Sequence, residues 1–396
     1  MEHLYEILKH VDGYIYPNEI ELQWGILIVL YPYITGLVAG AFILASLERV
    51  FKVKVLRPTY HLALLTALAF LLVAGLPLVS HLGHPFRSYE ILTTPQGHSA
   101  MAIFGFVYLW YLMVVLLLEI WFDYRRDLVI WSNESKGIKR RIYKILTLGV
   151  TDISPKALAW DEKLGYIITV IGIPSAFLLH GYVGFIFGSI KANPWWSTVL
   201  MPVIFLLSAM VSGIALVMFL YMVVSWIRKV KIDMACLDEI GKFLFMVLIL
   251  DFTLESLDQV HRIYEAEESF EILHMLVNGQ LNITLFVFQG LMGTIIPLIT
   301  LGIFRIYKPI PEIRKFLYAI VSSLVLFGVF FMRWNVVIGG QLFSKSFLGF
   351  TSFKLGMVGL EGFWMALVWM IMPFLILTFL FWLLPPWKRH SEETVS

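Results

Sequence analysis

Apolar runs long enough to cross a bilayer recur nine times along this chain, separated by short polar stretches. They cover about residues 22–47, 60–82, 99–123, 163–188, 197–227, 237–262, 281–305, 315–338 and 362–384. About 20 apolar residues fill the hydrocarbon core as a helix. The pattern predicts an all-α fold, a polytopic transmembrane helical bundle of about nine spans over residues 22–384. Residues 1–21 form a segment before it and residues 385–396 a tail after it. One run departs from the rest. Between Leu237 and Arg262 it reads LDEIGKFLFMVLILDFTLESLDQVHR, and Asp251, Glu255, Asp258 and Arg262 follow one another at spacings of four, three and four. That spacing puts them on one helix face. A charge at membrane depth costs at least ~2.5 kcal/mol. The stripe is therefore expected to face a wet or proteinaceous interior and to handle protons, ions or a polar ligand.

The loops alternate in charge. Those after spans one, three, five and seven, together with the tail and their flanks, carry 23 of the 30 Lys and Arg. The other side holds Glu2, Glu6, Asp12, Glu19, Glu21, Glu265, Glu267, Glu268 and Glu271. The positive-inside rule predicts the N-terminus outside and the C-terminus in the cytoplasm, and an odd number of spans agrees. The Gly- and Ser-rich residues 340–360 read as an outer, partly re-entrant loop. The basic stretch Asp123–Glu162 reads as a loop with an interfacial helix on anionic lipid. Residues 1–21 show no apolar core of signal-peptide type, so the first span is expected to serve as its own insertion signal. Composition sharpens the class. The chain is 59% hydrophobic and 15% charged, with mean hydropathy +0.81, whereas soluble domains run near a quarter charged. The single cysteine, Cys236, excludes a thiolate-held iron–sulfur cluster or an internal disulfide.

Depth follows from ~1.5 Å of rise per helical residue. Asp251 falls near the midplane, Glu255 roughly 10 Å and Asp258 about 6 Å from the outer end of their span. His180, in GIPSAFLLHGYVGFIFGS, lies roughly 12 Å below the outer surface. His81, His84 and Arg87 mark the outer end of span two in VSHLGHPFRSYE, and His98 opens span three. Arg333, Trp334 and Asn335 end span eight, with Gln341 beyond, while Glu19, Glu21, Gln23 and Trp24 lead into span one. Polar residues thus collect in the outer half, and the inner half holds few beyond interfacial charges. A ligand pocket with a proton exit fits that distribution better than a conduction path. Glu255 and Asp251 are expected to pair with Arg333 or Arg262. Gly36 and Gly40 (GLVAG) form a small-xxx-small pair suited to close helix packing, and Trp195 and Trp196 in NPWW suit an outer-interface anchor.

Several of these stretches resemble elements of the NrfD/PsrC family, the integral-membrane quinone-binding subunits of respiratory oxidoreductase complexes. They are LGHPFR, HGYVGFIFGS followed by NPWW, LDFTLESLDQVHR, and RWNVVIGGQ. The last two are similar to the longer branch containing HybB and DsrP, and SAMAIFGFVYLWYLM is closest to DsrP and Hme-type subunits. His81 stands where many members carry Asp. The resemblance runs from about Tyr31 to Gln341 and implies two four-helix bundles plus an extra helix, without haem or iron–sulfur cluster. It also implies menaquinone or a similar quinone bound near the outer face. Electrons would be exchanged with an extracytoplasmic ferredoxin-like iron–sulfur subunit, within a complex of further membrane and cytoplasmic subunits; the chain alone would not be an enzyme.

Chemistry and depth then give expected roles. His180 titrates near neutrality and is the best proton donor or acceptor at a quinone head group. Glu255 relays the proton, Asp258 and His261 pass it outward, and Asp251 extends a route toward the cytoplasm. Arg333 balances the acids or orients the ligand, and Asn335, His81, His84 and Arg87 complete the binding set. Two other classes compete. An ion or proton transporter is permitted by buried acids, but neither an inner polar track nor an inverted repeat is visible. A b-type cytochrome needs paired histidines across helices, and of ten only His180 lies well inside a span.

Overall fold

The computed structural model describes residues 11–94, 96–265 and 269–387. Glu2, Glu6, Glu267, Glu268 and most of the tail lie outside the described residues. Every apolar run is helical. In chain order the helices are α1 (Ile26–Arg49), α2 (Lys54–His81), α3 (Ala100–Glu134), α4 (Gly137–Leu146), α5 (Pro155–Gly188) and α6 (Met201–Ile227). They continue with α7 (Met234–Glu265), α8 (Phe270–Asn278), α9 (Ile283–Ile306), α10 (Pro311–Val337) and α11 (Phe363–Leu383). Among the described residues, eight are long and apolar enough to span a membrane. The ninth long helix, α7, has 32 residues and carries the acids.

Local chemistry sets the boundaries. Ser154 accepts from the Ala157 N–H, with Pro155 at the first position of α5, where its missing N–H costs nothing. Ser99 caps α3 in the same way through the Ala102 N–H. The basic stretch after Asp123 differs from the expected loop. Helix α3 continues to Glu134, and only then does the amphipathic α4 turn back. Tyr143 donates to the Leu383 carbonyl at 2.9 Å, and Trp121 to the Leu146 carbonyl at 2.9 Å, so α4 is bolted to α3 and α11. The buried Arg125 donates to Asp161 at 2.7 Å, tying α3 to the first turns of α5.

The long helices form two four-membered rings. Helices α1, α2, α3 and α5 make one, and α6, α7, α9 and α10 the other, with α11 packed on α2. The rings share a seam where α1 meets α6. Gly40 and Gly213 make that approach possible. A Cβ on Gly40 would stand 2.2 Å from the Ala209 carbonyl oxygen, and one on Gly213 would stand 2.4 Å from the Gly40 Cα. Helix α1 is enclosed by protein, with Ile26 through Ser46 all buried.

A small cap closes the end where α1 begins. Residues 340–360 belong to this cap. Strand β2 (Leu348–Phe350) pairs antiparallel with β1 (Asp12–Tyr14), a ribbon the all-α expectation did not contain. The Glu19 carboxylate accepts from the Ser344 hydroxyl at 2.5 Å and the Lys345 N–H at 3.0 Å, with Lys345 Nζ at 3.2 Å. The Gln341 amide accepts from the Trp24 N–H at 2.9 Å and donates to the Trp24 carbonyl at 3.0 Å.

Candidate functional site

The acid stripe of α7 does face protein, but its members have different fates. Asp258 accepts from Arg262 Nε at 2.9 Å and from the Thr198 hydroxyl at 2.7 Å. Arg262 also donates to the carbonyls of Pro194 and Trp195. This pair holds the NPWW segment. The two indoles point inward rather than to lipid: Trp195 and Trp196 are buried and donate to the carbonyls of Asn335 at 2.9 Å and Val336 at 2.6 Å. The expected interface anchor is therefore a bolt between the α5–α6 loop and α10.

One turn deeper, Glu255 accepts from the Gln289 side-chain amide at 3.2 Å, and Asn335 donates to the Gln289 oxygen at 2.8 Å. Gln289 escaped the sequence reading. It lies in the first half of α9, which is wound as a π-helix over Ile283–Ile295, a local widening often found at functional positions. Glu255, Gln289 and Asn335 line a cavity of about 430 Å3, whose walls include Phe252, Leu285, Phe286 and Met332. Its size and mostly apolar lining are those of a small-molecule site. The Asn335 oxygen is buried without a hydrogen-bond partner. Such an atom costs free energy unless something donates to it. Asp258 and Arg262 line this cavity and also a second one of about 430 Å3, which His261 borders at the capped end.

Asp251 is one turn deeper again, buried, with Oδ1 unpartnered. With Glu255, Ser208 and Thr294 it borders a cleft of about 10 Å3, room for about one water.

His180 and Arg333 meet behind this array. Both are fully buried. Arg333 donates to His180 Nε2 at 3.0 Å, to the Ser208 hydroxyl at 2.7 Å, to the Phe205 carbonyl at 3.3 Å, and to Met332 Sδ at 2.9 Å. Its guanidinium carbon sits 4.0 Å above the Phe205 ring. A guanidinium only donates, so Nε2 is the accepting nitrogen and Nδ1, which has no partner, carries the hydrogen. Neither residue lines the cavity. The expected pairing with Glu255 or Asp251 is replaced by these uncharged acceptors, and Arg262 pairs with Asp258. Gly36 explains why an imidazole fits: a Cβ there would stand 3.2 Å from the ring.

His81, His84 and Arg87 sit apart. His81 Nδ1 lies 2.8 Å from Glu361, and Arg87 donates to Glu90 at 2.7 Å, holding that carboxyl below its usual range. His84 and Arg87 are exposed. None of the three borders the cavity.

The half toward the basic end is less empty than its hydropathy suggested. Glu119 on α3 is fully buried among Tyr60, Thr169, Asp123 and Arg49. In sequence it is a single acid near the basic end of a span, which hides its inward direction.

The fold and cavity define a multi-pass membrane protein with a polar array buried in its second bundle. The chain belongs to the NrfD family: the family model described as "Polysulphide reductase, NrfD" matches residues 17–345. It is 31% identical over 329 residues to a selenate reductase subunit of Mesobacillus selenatarsenatis, covering 80% of this chain and 73% of that protein. It is 29% identical to a putative dimethyl sulfoxide reductase membrane subunit of Halobacterium salinarum, over 57% of this chain and 49% of that protein. A protein NrfD homolog of Haemophilus influenzae is 24% identical, over 81% of this chain and 95% of its own length.

Proposed function

We propose that this chain is the membrane subunit of a respiratory oxidoreductase complex and binds a quinone such as menaquinone in the Glu255 cavity. On this reading the capped end faces outward, the tail lies in the cytoplasm, and electrons pass to an extracytoplasmic iron–sulfur subunit. Other subunits complete the complex, and the likeness of the short motifs to those of HybB and DsrP supports membership of that branch. The observation that carries the proposal is the Glu255–Gln289–Asn335 array. It sets an acceptor carboxylate and an orphaned amide oxygen into an apolar cavity of ligand size. The names of the relatives, reductase subunits, support it.

A bound quinol supplies two electrons and two protons. Asn335 Oδ1 accepts one hydroxyl and fixes the ring. Glu255 takes a proton, and Gln289 holds both side chains in register. Asp258 borders both cavities and, with His261, passes the proton toward the capped end. Asp251 is the deeper acceptor beside Glu255. His180 and Arg333 act behind the cavity by keeping a positive charge near the acids. His81, His84 and Arg87 belong to the outer surface near the partner rather than to the cavity.

Titration of the purified chain with a fluorescent quinol analogue tests this. Saturable binding is expected, weakened about tenfold, or about 1.4 kcal/mol, in Glu255→Gln and in Asn335→Leu, with thermal unfolding unchanged. Binding to wild type that neither variant disturbs would sink the assignment of the cavity.

A further inference from the structure

The first bundle buries a second acid, Glu119, and its hydrogen bonds can be counted proton by proton. Tyr60 Oη receives a hydrogen bond from Arg49 at 2.6 Å and has one hydrogen to give. Two carboxylate oxygens compete for it: Asp123 Oδ2 at 2.7 Å and Glu119 Oε1 at 3.2 Å. Thr169 also has one hydrogen, and again two acceptors, the Gly165 carbonyl at 2.9 Å and the same Glu119 oxygen at 2.8 Å. Glu119 Oε2 meets nothing. An ionised Glu119 therefore leaves this fully buried set short of donors, which is costly. A proton on Glu119 supplies the missing donor.

The cluster approaches a cavity on one side. His61 Nε2 stands 3.9 Å from Asp123 Oδ2. The same imidazole borders a cavity of about 530 Å3 at the basic end of the molecule, with Arg57, Arg228, Lys231 and Asp233 around it. From His61 the steps to Asp123, Tyr60 and Glu119 are 3.9, 2.7 and 3.2 Å. The charged and titratable groups facing Glu119 are Arg49 from α1, Tyr60 from α2, and Asp123 with Tyr111 from α3; α5 contributes the neutral Thr169. Tyr111 opens a π-wound turn over Tyr111–Leu116 directly before Glu119, and its hydroxyl is buried without a partner.

We infer that Glu119 is a proton-holding site of the first bundle, filled from the basic face through His61, Asp123 and Tyr60. A proton from cavity water is taken by His61 and handed to Asp123. Tyr60 releases its hydrogen toward Glu119 as it receives one from the Asp123 side, so the hydroxyl is unchanged at the end. Arg49 keeps Asp123 balanced while Glu119 goes from anion to neutral acid. This site is separate from the Glu255 cavity and needs no quinone.

An apolar carbodiimide is the probe, because it forms adducts with carboxyls that are protonated and buried. The full-length wild-type chain in detergent should give a Glu119 adduct, mapped by mass spectrometry, that declines as the pH is raised. The route is read separately, by infrared-detected exchange of the carboxyl proton after transfer to D2O. That exchange should slow about tenfold in His61→Leu, since a positioned acid–base group contributes at least this much. No adduct at Glu119 while other carboxyls react, or an adduct insensitive to pH, would overturn the site. Unaltered exchange in His61→Leu would overturn the route. Neither readout involves turnover or quinol, so failure here and failure of the quinol cavity are distinguishable.

Discussion

His180 and Glu255 divide one expected task. From depth and chemistry His180 looked the better partner for a ligand, yet its Nε2 is committed to Arg333 and its ring is sealed from the cavity. His180→Ala should therefore cost stability more than ligand binding. Removing one acceptor from a buried guanidinium costs about 1–3 kcal/mol. The thermal unfolding midpoint should fall, while the affinity for a quinol analogue changes less than it does in Glu255→Gln. A variant with normal stability and abolished binding would return His180 to the cavity. The stripe of Asp251, Glu255, Asp258 and Arg262 was readable because four charges at helical spacing in an apolar run are improbable by chance. Gln289, Ser208 and Glu119 were not. Each is a single polar residue on an apolar helix, and where apolar residues surround it on every side, periodicity carries no rotational phase. Only the neighbouring helix says which way it points.

At the scale of elements, hydropathy located every long helix, since the bilayer fixes length and apolarity together. It missed what short-range packing and hydrogen bonding decide: α3 running on to Glu134, and the three-residue strands Asp12–Tyr14 and Leu348–Phe350. Three residues cannot announce a strand whose partner lies at the other end of the chain. The seam between bundles was half visible, as the GLVAG spacing; its counterpart Gly213 was not singled out. Gly213→Val should be costly because the added atoms meet backbone, not flexible side chains. Overpacking of this kind costs about 1–3 kcal/mol. Unfolding in detergent should shift down accordingly, with Gly83→Ala, a glycine facing open space, as the comparison for general glycine loss. A Gly213→Val midpoint equal to wild type would refute the seam.

For the whole molecule, the two-ring arrangement was an implication of the family resemblance rather than of composition. The cap that ties the segment before α1 to the segment after α10 came from neither. Its pH dependence can be stated with its sign. Burial pushes the Glu19 carboxyl up, but the Ser344 hydroxyl, the Lys345 N–H and the Lys345 ammonium outweigh it and hold Glu19 below its usual range. A carboxyl lowered in the folded state stabilises above its unfolded value of about 4.3, and that stabilisation is lost as pH falls through the lowered folded value. Amide exchange at residues 12–14 and 348–350 should therefore accelerate in that acid window, and Glu19→Gln should flatten the response. Acceleration on the alkaline side instead would contradict the clamp.

The enclosure of α1 has a consequence for how the chain is made. Of the long helices, α1 is made before the others, yet its buried faces are covered by α2, α5, α6 and α10, the last of which is synthesised nearly 300 residues later. Until then the faces that α5, α6 and α10 will cover must wait in lipid, which its uniformly hydrophobic surface allows and a polar stripe would not. The later helices thus wrap around α1, and its enclosure is complete only once α10 has been made. Biogenesis of the bundle is in this sense retrospective: the first of these helices finds its full surroundings only near the end.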